Sequence, residues 1–180
     1  MNLVFYKQTF THSCLVACFL MLLKATQGIE FDGKIEERIL TKGTKRIHPL
    51  YVVGISKEIA KKFNLKISVI ADNKYFTKVL IHSFADSENF SVFHQKVTIP
   101  QITQLLSRKL LICHIDNYYL NGATHESHFI LLEKLTNKGI KTYDPLVGKR
   151  RFLTFGKLEK SILSLKTLIK MCPLLIYLPA

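Results

Sequence analysis

The sequence predicts an α+β fold in which N-terminal helices pack on a C-terminal antiparallel sheet. Helical patterns fill the first third of the 180 residues, whereas strand patterns with short turns dominate the second half, without the regular alternation of strand and helix typical of a parallel sheet. Hydrophobic residues make up 48% of the chain, which is enough to bury a core without disulfides or a structural metal. Because no repeat, low-complexity run or linker interrupts it, we expect one domain over residues 1–180.

Three helices are predicted in the first third of the chain. Residues 13–25 are apolar on nearly every side, which indicates a buried helix, and Ser13 is a suitable N-cap for it. Residues 34–41 and 56–63 each have one apolar and one polar face, as helices at the surface of a core do. We expect Ser56 to cap the third helix.

The rest of the chain contains the predicted sheet. Asn137, Lys138 and Gly139 form a turn signal between two apolar runs, which predicts a β-hairpin. Residues 72–93 mix aromatic and small polar residues and predict either a strand with an excursion or a surface flap. Strands are expected over residues 65–71, 110–115, 127–135, 140–143, 152–155 and 174–178, with helices over 99–108 and 157–170.

The chain is strongly basic, with 26 lysines and arginines against 13 aspartates and glutamates and a net charge of +13. This balance suits either a solvated, lysine-rich surface or a long-range attraction to an acidic partner or inhibitor protein. Nucleic acid is the less favoured partner, because neither a nucleic-acid-binding motif nor an interleaving of basic and aromatic residues occurs.

Four cysteines, Cys14, Cys18, Cys113 and Cys172, lack the dense spacing of a secreted disulfide scaffold, so we expect free thiols in a reducing compartment. No secretory signal is visible, and the apolar runs are shorter than the ~20 residues of a membrane span. The prediction is a cytoplasmic protein without a membrane span, or one delivered from the cytoplasm without a conventional signal peptide. Cys14 and Cys18 lie four residues apart, but four-ligand zinc sites more often use two pairs such as Cys-x-x-Cys, and no such pair occurs. Neither a metal nor another cofactor is therefore predicted.

A thiol, an imidazole, a carboxylate and an amide occupy positions that suit nucleophilic catalysis. Cys14 falls in the first turn of the buried helix, where the aligned peptide dipoles favour a thiolate. His128 begins one strand of the predicted hairpin and Asp144 ends the other, so antiparallel pairing brings them to the same end of the sheet. There the carboxylate can orient the imidazole as a base for the thiol. Gln8, six residues before Cys14, can donate a hydrogen bond to the oxyanion of an attacked carbonyl.

Two segments of the chain resemble the peptidases that cleave double-glycine leader peptides from bacteriocins. The first, residues 8–22, joins a glutamine to a cysteine and an apolar helix, and the second, residues 128–148, joins a histidine strand to an Asp-Pro-x-x-Gly sequence. The resemblance reaches most of the chain and implies a papain-like α+β fold. It also implies roles for four residues: Cys14 as nucleophile, His128 and Asp144 as its triad partners, and Gln8 as the oxyanion donor.

Two positions depart from that family. Ser13 and Leu15 stand where an acidic residue and a glycine usually flank the cysteine. A glycine lets the substrate approach the backbone closely, so Leu15 disfavours the narrow channel that a Gly-Gly leader needs. The resemblance therefore bears more on the catalytic class than on the substrate.

Three functions are consistent with these residues. The favoured one is a free-standing cysteine peptidase that cuts a peptide or protein after small residues. A deamidase or transglutaminase of the kind used by bacterial effectors and toxins would need the same triad, because a side-chain amide forms the same thioester. The third is a repurposed papain-like module that binds RNA or an acidic partner, and the intact set of four residues argues against it.

Overall fold

The structure, a computed structural model, describes residues 5–45, 50–122 and 124–179. In these ranges one seven-stranded sheet carries helices on both faces, which confirms the predicted α+β class. The described helices are α1 (Cys14–Gln27), α2 (Gly33–Lys45), α3 (Tyr51–Phe63), α4 (Lys74–Phe84), α5 (Ile99–Leu106), α6 (Tyr118–Asn121) and α7 (Phe155–Thr167). The strands are β1 (Ile67–Ala71), β2 (Phe90–His94), β3 (Leu111–Asp116), β4 (Ser127–Leu135), β5 (Gly139–Asp144), β6 (Lys149–Thr154) and β7 (Leu174–Tyr177).

The strand order across the sheet is β2-β1-β7-β3-β4-β5-β6. Neighbouring strands are antiparallel except β1 and β2, which run parallel and are connected through α4. The chain therefore contains one βαβ unit at a sheet edge, which the sequence does not predict. The predicted β4–β5 hairpin is present, with Leu131 opposite Tyr143.

Helix α1 forms the centre of the larger core. Every residue from Cys14 to Leu23 is buried, because β4 contacts this helix on one side and α2 and α3 contact it elsewhere. Helices α5 and α7 pack on a second core on the other face of the sheet. With 14 residues α1 is shorter than a membrane span, and none of the other helices in the described ranges has the length and apolar character to cross a bilayer.

Helices α2 and α3 meet at two glycines. A methyl group on Gly54 would overlap the carbonyl oxygen of Gly43, and one on Gly43 would press against Ile55. The two backbones can approach this closely only because neither glycine has a Cβ atom.

Two predictions in the first half of the chain are wrong. Helix α3 begins at Tyr51, five residues before the predicted start, so Ser56 is a fully buried residue inside the helix and not its cap. Residues 72–93 form neither a strand with an excursion nor a flap, because most of them build α4 and the start of β2. Asn73 caps α4 by accepting a hydrogen bond from the backbone N–H of Phe76 at 2.9 Å.

Two boundaries in the second half also differ from the prediction. Strand β6 begins at Lys149, three residues early, and Phe155 belongs to α7 because Thr154 caps that helix through a hydrogen bond from Lys157 N–H. A short helix, α6, lies between β3 and β4, where the sequence predicts neither a strand nor a helix. This helix turns out to contact the candidate site.

Candidate active site

Cys14 is the first helical residue of α1 and is 9% exposed. Ser13 occupies the N-cap position, but its hydroxyl caps no N–H of α1; its one proton is shared between two acceptors, the Phe10 carbonyl at 2.6 Å and the carboxylate of Glu36 on α2. The predicted side-chain cap is therefore wrong, although the helix begins where the sequence places it. The thiol lies at a helix N-terminus, where the peptide dipoles favour a thiolate.

His128 and Asp144 form a buried pair beside this thiol. The Nε2 atom of His128 lies 2.8 Å from Oδ1 of Asp144. A carboxylate only accepts hydrogen bonds, so Nε2 carries a proton and donates it. The Cys14 thiol lies close enough to the same ring to contribute to its raised pKa, and Nδ1 is the ring nitrogen that Asp144 leaves free to face it. The hairpin thus brings the imidazole between the sulfur and the carboxylate.

Charges at this site favour an imidazolium. Burial alone would lower the pKa of His128, but the hydrogen bonds to Asp144 and Cys14, with the charges on both, outweigh it and raise the pKa to about 9. Burial would raise the pKa of the Asp144 carboxyl, but the hydrogen bond and charge of His128 reverse this effect and hold the pKa below its usual value. At neutral pH the pair is therefore a carboxylate and an imidazolium, and an adjacent imidazolium stabilises a thiolate.

Asn121 is a contact of this site that the sequence reasoning missed. Its Nδ2 atom donates to Oδ2 of Asp144 at 3.2 Å, while the backbone N–H of Leu146 donates to Oδ1 at 3.0 Å. Both carboxylate oxygens of Asp144 are thereby held in place. Asn121 ends the four-residue helix α6, and Gly122 follows it with φ of 74°. An Asn-Gly pair in a polar loop indicates only a turn, so the sequence offers no signal for this contact.

Gln8 lies beside the turn that follows Asp144. Its backbone N–H donates to the Pro145 carbonyl at 2.8 Å. Its side-chain Nε2 donates to the Phe10 carbonyl at 3.0 Å, and its Oε1 atom is buried without a hydrogen-bond partner in the described part of the chain. An amide nitrogen has two hydrogens, so the bond to Phe10 uses one of them.

A cleft of about 800 Å³ opens beside Cys14. Most of its lining is apolar and comes from α2, α3, α4, β4 and the segment before β7. The lining side chains are Thr11, His12, Cys14, Leu40, Thr44, Leu50, Tyr51, Val52, Phe76, His114, Ser127, Phe129, Lys170, Met171, Cys172 and Leu174. A pocket of this size and character suits an apolar segment of a bound molecule.

His114, on β3, is the second buried histidine near the thiol. Its ring stacks on Phe129 at 4.4 Å between centroids, and its Nδ1 lies 3.0 Å from the Cys172 carbonyl. A carbonyl only accepts, so Nδ1 carries the proton and Nε2 is an acceptor; among the described residues Nε2 has no partner. Burial, together with the nearby charge of His128, lowers the pKa of His114 to about 4. This ring is therefore neutral.

Two other histidines near the site, His125 and His12, make different contacts. The Nδ1 atom of His125 is 2.7 Å from Oδ2 of Asp116, and its ring stacks on Tyr118. His12 lines the cleft, and its carbonyl accepts a hydrogen bond from the Tyr51 hydroxyl. In the described part of the chain, neither has a hydrogen bond to His128 or Asp144.

The other cysteines have no comparable partner. All four cysteines are free, and burial raises the pKa of Cys18, of Cys172 and of Cys113, the last to about 12. These three are therefore held as thiols. Within residues 5–45, 50–122 and 124–179, no three histidine, cysteine or acidic side chains come together as metal ligands would.

No known protein-family profile matches the chain, and no curated protein matches its sequence. The fold is similar to the crystal structure of a protein from Bacillus anthracis that is described, by inference, as a C39-like peptidase. The TM-score is 0.59, and the alignment covers 99% of this chain and 96% of that one at 11% sequence identity. At this identity the similarity establishes the fold alone, an α+β fold shared with that protein.

Proposed function

We propose that the protein is a cysteine peptidase that cleaves a peptide or protein through a thioester acyl-enzyme. The observation that carries this proposal is the position of His128, buried between the Cys14 thiol and the Asp144 carboxylate. The C39-like peptidase fold supports the same class. Gln8 is the proposed oxyanion donor, because its backbone is fixed beside the Asp144 turn and its amide has a second N–H.

In the first half-reaction the Cys14 thiolate attacks the carbonyl carbon of the scissile bond. The C–S bond forms while the carbonyl π electrons move to oxygen, and the second N–H of Gln8 donates to that oxyanion. The His128 imidazolium then gives its proton to the leaving nitrogen, the C–N bond breaks and a thioester remains. Asp144 keeps the ring oriented and stabilises its positive charge.

In the second half-reaction His128 acts as the base. It removes a proton from water as the oxygen attacks the thioester carbon, and collapse of the second tetrahedral intermediate releases the carboxylic acid. The sulfur leaves as a thiolate beside the newly formed imidazolium, which restores the starting state.

The cleft beside Cys14 is the proposed binding site for the substrate. Its apolar walls favour a segment with apolar side chains near the scissile bond, since binding there removes apolar surface from water. Leu15, which departs from the double-glycine family, is fully buried in α1 and is not among the cleft residues.

The thiol chemistry is tested by alkylation with iodoacetamide. We expect Cys14 to react faster at pH 7 than Cys113 or Cys172, because an imidazolium partner favours its thiolate whereas burial disfavours theirs. The His128→Ala variant should lose this advantage. If Cys14 reacts no faster than the other two in the wild type, the proposed function is wrong.

The reaction itself is tested by mass spectrometry of a bacterial proteome incubated with the wild type or with Cys14→Ala. New peptide termini that need Cys14 would support peptide-bond cleavage. A shift of one dalton at glutamine, without chain cleavage, would instead identify a deamidase, which uses the same thioester. If neither cleavage nor deamidation is seen, the result would argue for a binding module.

A further inference from the structure

Glu36 is a buried carboxylate in the first turn of α2, and its side chain lies against the segment that precedes Cys14. The residue is 0% exposed. A buried carboxylate is costly unless it accepts several hydrogen bonds. The helix N-terminus favours the negative charge of Glu36, but by itself it does not explain where the side chain points.

Among the described residues, the hydrogen-bond donors on the Glu36 carboxylate all come from one short segment, residues 6–13. The Thr9 backbone N–H lies 3.1 Å from both carboxylate oxygens, and the Tyr6 hydroxyl donates to Oε2 at 2.5 Å. The Ser13 hydroxyl hydrogen-bonds to Oε1. Burial and the bond to Glu36 raise the pKa of Tyr6 to about 12, which keeps this partner a phenol donor.

These donors flank the two residues that the proposed mechanism needs. Thr9 directly follows Gln8, and Ser13 directly precedes Cys14. The Phe10 carbonyl links the same two points, because it lies 3.0 Å from Nε2 of Gln8 and 2.6 Å from the Ser13 hydroxyl. The Glu36 carboxylate is thus hydrogen-bonded to both ends of the loop that connects Gln8 to Cys14.

We propose that Glu36 is a positioning residue for the oxyanion site: it holds the loop of residues 6–13 so that the Gln8 amide stays in register with Cys14. The inference rests on the proposed function. Glu36 acts through Gln8 and not on the thiol, since its contacts are to the loop, whereas the thiol is polarised by His128. Loss of Glu36 should therefore impair steps that form an oxyanion and spare those that need only a thiolate.

Two reagents separate these steps. Iodoacetamide alkylates Cys14 by displacement of iodide, which needs the thiolate but forms no oxyanion. p-Nitrophenyl acetate acylates Cys14 through a tetrahedral oxyanion and needs no particular binding pocket. The ratio of the acylation rate to the alkylation rate therefore measures the oxyanion site alone.

In Glu36→Gln we expect alkylation near the wild-type rate and acylation at least about tenfold slower, in line with the cost of losing an oxyanion donor. Gln8→Ala should show the same pattern, and Glu36→Gln should add little in a Gln8→Ala background, because both changes remove one function. Glu37→Gln, an exposed neighbour on α2, is the matched control and should leave both rates unchanged. Tyr6→Phe removes a single donor and should lower the ratio by a smaller factor, even if Glu36→Gln fails to fold.

Three results would overturn the role of Glu36. The first is an unchanged ratio of acylation to alkylation in Glu36→Gln or, if that variant does not fold, in Tyr6→Phe. The second is a fall of alkylation and acylation together, and the third is an effect of Glu36→Gln that multiplies with that of Gln8→Ala. A wild-type Cys14 that is alkylated but not acylated would overturn it as well. The proposed function fails separately, if wild-type alkylation does not depend on His128.

Discussion

His114 and His128 lie on the paired strands β3 and β4, and each is 4% exposed, yet their protonation states differ. The pKa is about 4 for His114 and about 9 for His128. Burial lowers both values, so burial does not cause the difference. His114 donates to a neutral carbonyl, whereas His128 lies between a carboxylate and a thiol. The charge of the partner, and not the depth of the ring, decides which histidine can act as an acid.

The largest expected effect comes from removing the charged histidine. His128→Ala should slow the acylation of Cys14 by p-nitrophenyl acetate and its turnover by about 10³-fold, because both the thiolate partner and the general acid are lost. Stopped-flow absorbance of released p-nitrophenol measures it. His125→Ala removes a histidine three positions earlier in the chain, which bonds to Asp116, and this variant should react at nearly the wild-type rate. If both variants were slowed equally, the catalytic role assigned to the charged His128 would be contradicted.

Next is the partner that gives His128 its charge. Asp144→Asn should slow turnover by about 10²-fold or more, because an amide can present either a donor or an acceptor to Nε2 and no longer stabilises the imidazolium. The wild-type rate should decline as the pH rises through about 9, where the ring loses the proton that it delivers to the leaving group. In Asp144→Asn this decline should begin at lower pH. A pH–rate profile with the same alkaline limb in both proteins would count against the proposed pair.

The neutral histidine should affect stability rather than chemistry. The pKa of His114 is lower folded than unfolded, so its contribution is present above pH ~6.5 and is lost as the pH falls towards about 4. For His128 the folded pKa is higher, so its contribution is present below pH ~6.5 and is lost as the pH rises towards about 9. The two histidines therefore predict opposite slopes of stability with pH.

We expect His114→Phe to flatten the acid slope. Between pH 5 and 6.5 the wild type should lose about 2 kcal/mol more unfolding free energy than this variant, since one unit of pKa shift is worth about 1.4 kcal/mol. Urea unfolding at the two pH values measures the difference. A wild type and a variant with the same acid slope would mean that His114 is protonated in the folded protein.

The smallest effect is expected at Asn121. Asn121→Ala leaves Asp144 with the donors His128 and Leu146, so turnover should fall by about tenfold, the equivalent of about 1.4 kcal/mol. The alkaline limb of the pH profile should stay near pH 9, because the charge of Asp144 is retained. A fall as large as that of Asp144→Asn would mean that the amide does more than orient the carboxylate.

Whether a contact of the site can be predicted from the sequence depends on whether a local sequence pattern determines it. The hairpin of β4 and β5 rests on a local turn and on alternating residues, so the meeting of His128 and Asp144 can be predicted from pattern alone. Asn121 cannot, because it reaches Asp144 from a four-residue helix 23 positions earlier. Glu36 looks like an ordinary charge on an amphipathic helix, since its donors lie 23 to 30 positions away along the chain.

The wrong predictions share this origin. Ser56 has the chemistry of a cap, but the helix extends five residues further because Val52 and Val53 pack into the core. The α4 segment has apolar residues on one face, yet its aromatic and polar composition hides a period that becomes clear only once Leu80 and Phe84 are seen buried.

The contact of Gly43 with Gly54 has a consequence for genetic screens. Helix α2 carries Glu36, and α3 provides Tyr51 and Val52 to the cleft. An alanine at Gly54 would force these helices apart and could shift both groups, although the glycine itself touches no reacting atom. Inactive variants recovered by random mutagenesis should therefore cluster at the contact of Gly43 with Gly54 as well as around Cys14. Their positions would identify the helix packing that supports the site in addition to the residues that react.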